Sequence, residues 1–406
     1  MTEPDVLVIG AGPAGLSAAI ALRQAGVGRV TVLERQSVAG GIPRQCGHSP
    51  FGMREFGRIL SGRRYADRLA RTALSLGVDL RLRHSVVAIG AGPRVEVATP
   101  DGLVAFAPRR VILATGVREA TRAARLVSGE RPAGILNTGA LQDQVFLRRS
   151  APFRRPVIVG TELVSMSAVL TCLGAGARPA ALVESGPRPL ARAPFRWLPR
   201  LLCVPVHLAT EIADIHGARA VEAVTLRGPD GTERMVACDG VLFTGRFTPE
   251  AGLARMSGIE IDPATGGPTV DTFGRTSLPD VYAAGNVLRG VETAGWCWAE
   301  GRAVARAVAA DLAGRGAPDG PGLRIETGEG VRLVMPQSVA AGSAAPAFPA
   351  IQLRLDRPVR GELRAESDGQ ALWSHRLSSG PERRILVPLD TLARSRGHIR
   401  IRVHEA

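Results

Sequence analysis

Four apolar residues, Val6 to Ile9, run without a polar break into Gly10, and an Ala/Leu-rich stretch from Leu16 to Gln24 follows at once. A short continuous apolar run predicts a strand buried on both faces, and the longer stretch predicts a helix. Val30 to Leu33 repeats the strand pattern and ends on Glu34. Tyr65 to Leu76 places Leu69, Ala73 and Leu76 on one helical face. Short alternating segments come next (Val78 to Leu82, Val86 to Ile89, Val95 to Ala98, Leu103 to Phe106), and the apolar strand from Arg110 leads into Ala114-Thr115-Gly116. The order strand, turn, helix, strand then returns, with Pro156 to Val159, Gly160, an Ala/Leu-rich helix, Ala180 to Val183 and Glu184. Gly10 and Glu34 are 24 residues apart, and so are Gly160 and Glu184. The agreement in order and length predicts an internal duplication of one supersecondary unit. A further helix is expected from about Ala294 to Ala313, with Ala303, Ala307, Val308 and Leu312 inward, followed by a Gly/Pro linker at 314–322. Beyond it, alternating segments (Val331 to Met335, Ile351 to Leu355, Gly361 to Ala365, Arg384 to Val387, Ile399 to Val403) predict a small all-β sandwich or barrel-like module.

The first turn carries a chemistry that the pattern alone does not. Gly10-x-Gly12-x-x-Gly15 stands between strand and helix. Gly10 permits a tight turn, Gly12 lets the backbone approach a pyrophosphate, and Gly15 lets helix and strand pack closely. The helix N-terminus offers free N–H groups to phosphate, and Glu34 can accept hydrogen bonds from ribose hydroxyls. The expected fold class is α/β: two Rossmann-like, three-layer ββα/βαβ domains plus a small C-terminal all-β domain.

Composition excludes some readings. The chain has 406 residues, 45% of them hydrophobic, enough for two or three domains. It enters a strand by Val6, so no leader is expected at its start, and no apolar stretch is long enough to predict a membrane span. The formal charge is +14, but all 51 basic residues are arginine and they run the whole length. With 4% aromatics, no interleaved stacking platform accompanies them, and a nucleic-acid partner is not expected. Without lysine, no Schiff-base chemistry is available. Five cysteines (46, 172, 203, 238, 297) form no CxxC or CxxxxC pair, which predicts a reducing, cytoplasmic setting without disulfides or a metal cluster. His207, Glu211 and His216 are read as ordinary polar residues.

These landmarks together resemble the two-dinucleotide-domain flavoproteins of the glutathione-reductase and thioredoxin-reductase superfamily. The likeness covers roughly residues 1–315. Ala114-Thr115-Gly116 looks like the motif where the chain leaves an FAD domain, and Thr244-Gly245-Arg246 is similar to the return crossing. Ala283-Ala-Gly-Asn286 matches the late FAD motif, with an amide at Asn286 where an acid usually meets the ribityl chain. The resemblance implies an FAD domain built from 1–116 and 246–316 and an NAD(P)-type domain at 117–245, while the alternating pattern beyond them gives a C-terminal β-sandwich-like module at 323–406. It implies FAD contact by Gly10, Gly12, Pro13, Ala14, Gly15, Glu34, Arg35, Gly41, Arg44, Val87, Ala114, Thr115, Gly116, Gly285, Asn286, Thr293 and Ala294. The helix starting near Thr293-Ala-Gly-Trp296 would point its positive end at the flavin pyrimidine ring. Trp296 either touches the reacting centre or packs beside the cofactor.

The second fingerprint lacks its glycines and reads Gly160-Thr-Glu162-Leu-Val-Ser165. Glu162 stands where bare backbone normally meets pyrophosphate, adding bulk and repelling phosphate. The unit is expected to persist as scaffold with nicotinamide binding lost, unless a shifted loop still admits NADH. Dithiol exchange needs two close cysteines, which the spacing does not supply. Cys46 with His48 two residues on could form a single thiolate–imidazole pair, or merely line the flavin. The loop Gly40 to His48 and the segment Gly285 to Gly295 resemble the FAD subunits of opine oxidase, hydrogen cyanide synthase and hydroxyproline or proline dehydrogenase complexes. That likeness implies a dehydrogenase subunit with a small-molecule substrate, and as candidate partners a second flavoprotein and a separate iron–sulfur protein. Candidate groups near the isoalloxazine are Arg44, Cys46, His48, Glu292 and Trp296. The competing readings are a stand-alone NAD(P)H-dependent flavin reductase or peroxidase, and a flavin-bearing interaction subunit whose β module docks a partner.

Overall fold

A computed structural model describes residues 3–405 except 319, 321, 343, 393, 394 and 396. Strand β1 (Val6–Ile9), helix α1 (Pro13–Gln24) and strand β2 (Val30–Glu34) open the first unit. β1 lies in the middle of a five-stranded parallel sheet, between β2 and β3 (Arg110–Leu113). The edge positions are taken by Asp79–Leu82 and by Val281–Ala283, which returns from far along the chain. All four residues of β1 are buried because layers cover both faces of the sheet, and this is why the strand reads as an unbroken apolar run. The helix expected from Leu16 starts earlier, at Pro13, where the missing proline N–H costs nothing.

The second unit repeats the plan with β4 (Pro156–Val159), α2 (Leu163–Gly174), β5 (Ala181–Val183) and β6 (Gly240–Phe243). β4 pairs in parallel with β5 and β6, and Val206–His207 and Ile135–Asn137 complete five strands. Each parallel sheet is accompanied by a three-stranded antiparallel one, Ser85–Phe106 in the first case and Glu211–Ala237 in the second. The two chain crossings between units run side by side as an antiparallel pair, Val117–Glu119 with Phe247–Pro249.

Helix α3 (Ala294–Leu312) lies against α1. Gly301 makes this close approach workable, since a Cβ there would strike the Ala14 carbonyl and the Ser17 hydroxyl. Ser17 Oγ in turn donates to Trp298 O at 2.8 Å.

From Leu323 onward, a five-stranded and a three-stranded sheet enclose one core. Ile351, Leu353 and Val387 come from one sheet and Leu363, Ile399 and Ile401 from the other, which is sandwich packing. The strand Gln370–Ser379 is additional to the expected elements. Its signal is Asp368-Gly369, both with positive φ (50° and 79°), which closes a tight hairpin to Val359–Ser367. This module is docked on the first unit: Phe348 is buried in that unit's core and its N–H donates to Thr272 O at 2.9 Å. Among the described residues, no helix is long and apolar enough to cross a membrane.

Candidate functional site

The first glycine turn is held open by its own backbone. Gly10 adopts φ 107°, and a Cβ on it would lie 2.5 Å from Ala114 O. Its N–H donates to Leu33 O at 2.8 Å. Gly15 admits no side chain, because a Cβ would collide with Gly10 O. The loop after β2 folds back over this turn: Gly40 N donates to Ala11 O at 2.7 Å, and Gly41, at φ 60°, would place a Cβ 2.9 Å from Gly12 Cα. α1 starts at Gly12 without a side-chain cap, so its first amides face the cradle unspent. Glu34 is buried, with Oε2 accepting from Ala11 N (2.9 Å) and Oε1 from Gln36 N (2.9 Å). Each carboxylate oxygen keeps a lone pair for a ribose hydroxyl.

Two details support a dinucleotide here. Arg44 donates from Nη2 to Gln36 Oε1 at 2.6 Å, but its buried Nε has no partner. Val87 sits at a β-bulge between Val86 and Ala88, where ladder pairing is interrupted and backbone groups are left over. A bare glycine cradle, an uncapped helix and an orphaned guanidinium nitrogen fit the pyrophosphate and adenosine of FAD. Arg35 lies at the rim and is largely exposed, 3.7 Å from Glu250. Thr115 Oγ1 donates to Glu250 O at 2.8 Å, and Gly116 takes φ 78°.

Asn286 is engaged differently from the expectation. Its Nδ2 donates to Glu292 O (3.0 Å) and its Oδ1 accepts from Glu292 N (2.8 Å). The amide thus cinches the loop that delivers α3, a task that needs a donor and an acceptor together and that a carboxylate could not perform. Gly285, at φ 80°, lets this loop press on α1, where a Cβ would lie 2.6 Å from that of Ala14. α3 begins at Thr293 without a side-chain cap, leaving the amides of Ala294 and Gly295 free.

Cys46 and His48 are not paired. Cys46 is buried, with Gln142 Oε1 (3.4 Å) and Ile42 O (3.6 Å) both within reach of its single S–H. Burial and the nearby Glu119 carboxylate push the thiol up to about 12, so the nucleophilic thiolate is scarce at neutral pH. His48 turns its Nδ1 to Ser49 O (3.3 Å) and packs on Phe51, and burial lowers its pKa from the ordinary value. The thiolate–imidazole pair considered from the sequence is therefore replaced by a thiol tied to Gln142, which in turn donates to Ser167 Oγ of α2 at 2.8 Å. The physical reason is that the loop runs the thiol inward and the imidazole outward.

Trp296 has the most charged surroundings of the candidates. Arg54 lies 3.9 Å and Arg384 3.5 Å from its ring centroid. One face of an indole cannot seat two guanidiniums at stacking distance, so the ring lies between them. Glu292, 7% exposed, bonds Arg354 at 2.6 Å and stands 3.7 Å from Arg384. Arg289 and Glu300 form a buried pair beneath, joined by Gln352. Gln352 and Arg354 come from the C-terminal strand Ala350–Leu355, and Arg384 immediately precedes the strand Ile385–Pro388, which was expected to begin at Arg384 itself. None of these three carried a sequence signal, since a polar or basic residue near a strand in an arginine-rich chain looks like solvated surface.

The second turn is closed by side chains. Glu162 Oε2 accepts from Ser165 Oγ (2.9 Å) and from Thr244 Oγ1 (3.1 Å), and Ser165 Oγ lies 2.6 Å from Thr244 Oγ1. A Cβ on Gly245 would collide with the Glu162 carboxylate, which shows how far it reaches across the turn. Burial raises the Glu162 pKa above its ordinary value. Glu184 is also satisfied internally, by Thr161 Oγ1 (2.5 Å) and Gly186 N (3.0 Å).

The family model of the pyridine nucleotide-disulphide oxidoreductases matches residues 4–301, and the chain belongs to that family. It is an oxidoreductase of the flavoprotein class, with FAD as cofactor. The alpha subunit of sarcosine oxidase from Rhizobium meliloti is 27% identical over 350 residues, which are 82% of this chain and 33% of that protein. An opine oxidase subunit of Agrobacterium tumefaciens is 26% identical over 339 residues, 76% of this chain and 66% of that one. The chain thus spans one third and about two thirds of the lengths of these two relatives. In fold it is similar to T. acidophilum thioredoxin reductase (TM-score 0.65, 23% identity, 76% of this chain and 98% of that one). It is also similar to L-proline dehydrogenase from P. horikoshii (TM-score 0.59, 19% identity, 78% and 56%).

Proposed function

We propose that this chain is an FAD-dependent dehydrogenase subunit. It takes electrons from a small amino, imino or hydroxy acid, or from a partner flavin, and passes them to an acceptor other than nicotinamide. The observation that carries the reading is the contrast at the two turns: Gly12, Gly15 and Ala114 leave the first open, whereas Glu162, Ser165 and Thr244 fill the second. A buried carboxylate at the pyrophosphate position opposes a dinucleotide by bulk and by charge.

In this reading FAD lies along the first unit. The amides of Ala14 and Gly15 would hold its pyrophosphate, Glu34 its adenosine ribose and the backbone at the Val87 bulge its adenine. Bound there, FAD accepts a hydride and returns electrons singly or in pairs. The N-terminus of α3 offers the Ala294 and Gly295 amides to negative charge on the flavin pyrimidine edge. Cys46, as a neutral thiol, and His48, as a neutral imidazole, shape the pocket wall and do not attack. That state of Cys46 weighs against a single-cysteine peroxidase. The relatives named as oxidase subunits support an assembly with partner subunits, and in this reading a second flavoprotein and a separate iron–sulfur protein form the onward route.

Anaerobic reduction tests the reading. Amino, imino and hydroxy acids and NAD(P)H are offered in turn to the FAD-loaded chain, alone and with a co-purified partner, while flavin absorbance is followed. Decolourisation by an acid or by a reduced partner flavin, with NADH and NADPH inert, is expected. Prompt bleaching by NADH sinks the proposal.

A further inference from the structure

The C-terminal module places a cation over the entrance to α3. Arg384 is 14% exposed on its side chain and makes no hydrogen bond among the described residues; its nearest carboxylate, on Glu292, is 3.7 Å away and already bonded to Arg354 at 2.6 Å. Stacking on Trp296 at 3.5 Å orients it instead. Arg54 makes the same contact from the other side, at 3.9 Å, and it too has no hydrogen-bond acceptor among the described residues. A guanidinium held by its face keeps its in-plane N–H donors available, and those donors match a carboxylate bidentately. The local charge supports this use. Glu55 lies beside the start of α3, its Oε1 facing Gly295 and accepting from the Tyr65 hydroxyl at 2.9 Å. Arg54, Arg354 and Arg384 outnumber Glu55 and Glu292 by one, Arg289 and Glu300 cancel, and the free amides of Ala294 and Gly295 add the positive end of a 19-residue helix. Burial lowers the Arg384 pKa from its ordinary value, a cost that a bound anion would offset.

We propose that Arg384, stacked on Trp296 with Arg54 bracing the opposite face of the ring, grips the carboxylate of the organic acid substrate, so that the C-terminal module completes the substrate site. This rests on the dehydrogenase reading, and it gives the β module a task that cover or self-association does not. Trp296 serves as the spacer that orients both cations, and Glu292 holds Arg354 aside so that Arg384 remains free for substrate.

The test uses acids that bind but cannot be oxidised. 2-Aminoisobutyrate and 2-hydroxyisobutyrate lack an α-hydrogen, and their amides serve as controls without the carboxylate. Calorimetry and tryptophan fluorescence on the FAD-loaded chain are expected to show at least one acid binding about tenfold or more tighter than its amide. R384Q is expected to weaken that binding about 10- to 100-fold, R384K to recover part of it, and R54Q to weaken it less, with flavin content and melting temperature unchanged. If R384Q sheds its flavin, R54Q and R384K carry the comparison, since both keep a cation at the module seam. With an oxidisable acid, R384Q is expected to raise KM while leaving kcat within about threefold. Equal affinity for acid and amide, no binding of any acid, or unchanged affinity in both R384Q and R54Q overturns the proposal. If carboxylates bind through Arg384 and yet none with an α-hydrogen reduces the flavin, the dehydrogenase reading fails and the anion site stands.

Discussion

The two α/β units of this chain share a backbone plan and differ in what stands at three positions. In both, a four-residue strand pairs in parallel with two neighbours, and the first glycine donates to the strand alongside at 2.8 Å, Gly10 to Leu33 and Gly160 to Val183. In both, an acid 24 residues on is buried and accepts hydrogen bonds from the turn region and from the residue two further along. The difference lies at Gly12, Gly15 and Ala114 against Glu162, Ser165 and Thr244. The first set leaves backbone amides unspent at the turn, and the second closes on itself through hydroxyl–carboxylate bonds. Strand pairing is alike in the two units, and in the proposed reading the turn decides whether a dinucleotide can enter. A duplicated unit can lose its ligand while keeping its fold, because packing against the sheet and binding of phosphate depend on different atoms.

Gly15→Ala should show the largest effect. The added methyl strikes the Gly10 carbonyl, so α1 must move away from the cradle. Flavin absorbance of the purified protein is expected to fall to background, and stability by about 1–3 kcal/mol in denaturant titration. A yellow, equally stable G15A protein would remove the distinction between the two turns.

The reciprocal change, E162G/S165G/T244A, opens the second turn. NADH binding by calorimetry is expected to rise at least about tenfold over the parent, equivalent to about 1.4 kcal/mol. An unchanged affinity would show that something besides the plug bars nicotinamide.

A smaller effect is expected at Cys46. With its thiol pushed up to about 12, C46A should keep flavin turnover within about twofold, and thiol reagents at neutral pH should modify the exposed Cys203 well before Cys46. Loss of turnover in C46A with flavin retained would restore a catalytic role for the thiol.

The smallest effect concerns pH. Because the folded-state pKa of Glu162 is raised, the folded protein holds that proton more tightly than the unfolded chain does. Stability from this group is present at acid pH and falls as pH rises from the ordinary value of 4.5 through the raised one. Glu162→Gln removes the dependence, so its melting temperature relative to the parent should climb from pH 4.5 towards neutrality. A constant offset would mean that the carboxylate is not strained by burial.

Much of this was legible in the sequence because it depends on neighbours along the chain. The glycine spacing, the apolar strands and the acid after each second strand all announce themselves within a few dozen residues. The α1 and α3 boundaries were expected to within about one turn, since proline at N1 and the run of helix formers are local signals. The hairpin at Asp368-Gly369 is equally local, but its second strand, Gln370–Ser379, has no buried residue and so offers little apolar alternation. The fate of Asn286 was not legible, because Oδ1 and Nδ2 find Glu292 only after the loop has closed. Cys46 and His48, two residues apart, invite a pairing that the turn of the loop prevents.

What the sequence determined by itself is the existence of two βαβ units and the loss of glycine in one of them. Backbone freedom at φ above zero and the bulk of a Cβ are properties of single residues. Only the tertiary structure decided that Glu162 is tied to Thr244, 82 positions away, that Cys46 faces Gln142, and that Arg384 from the C-terminal module rests on Trp296. Those outcomes depend on which distant side chains share one small, poorly hydrated volume, where a charge or a thiol takes its character from whatever packs against it.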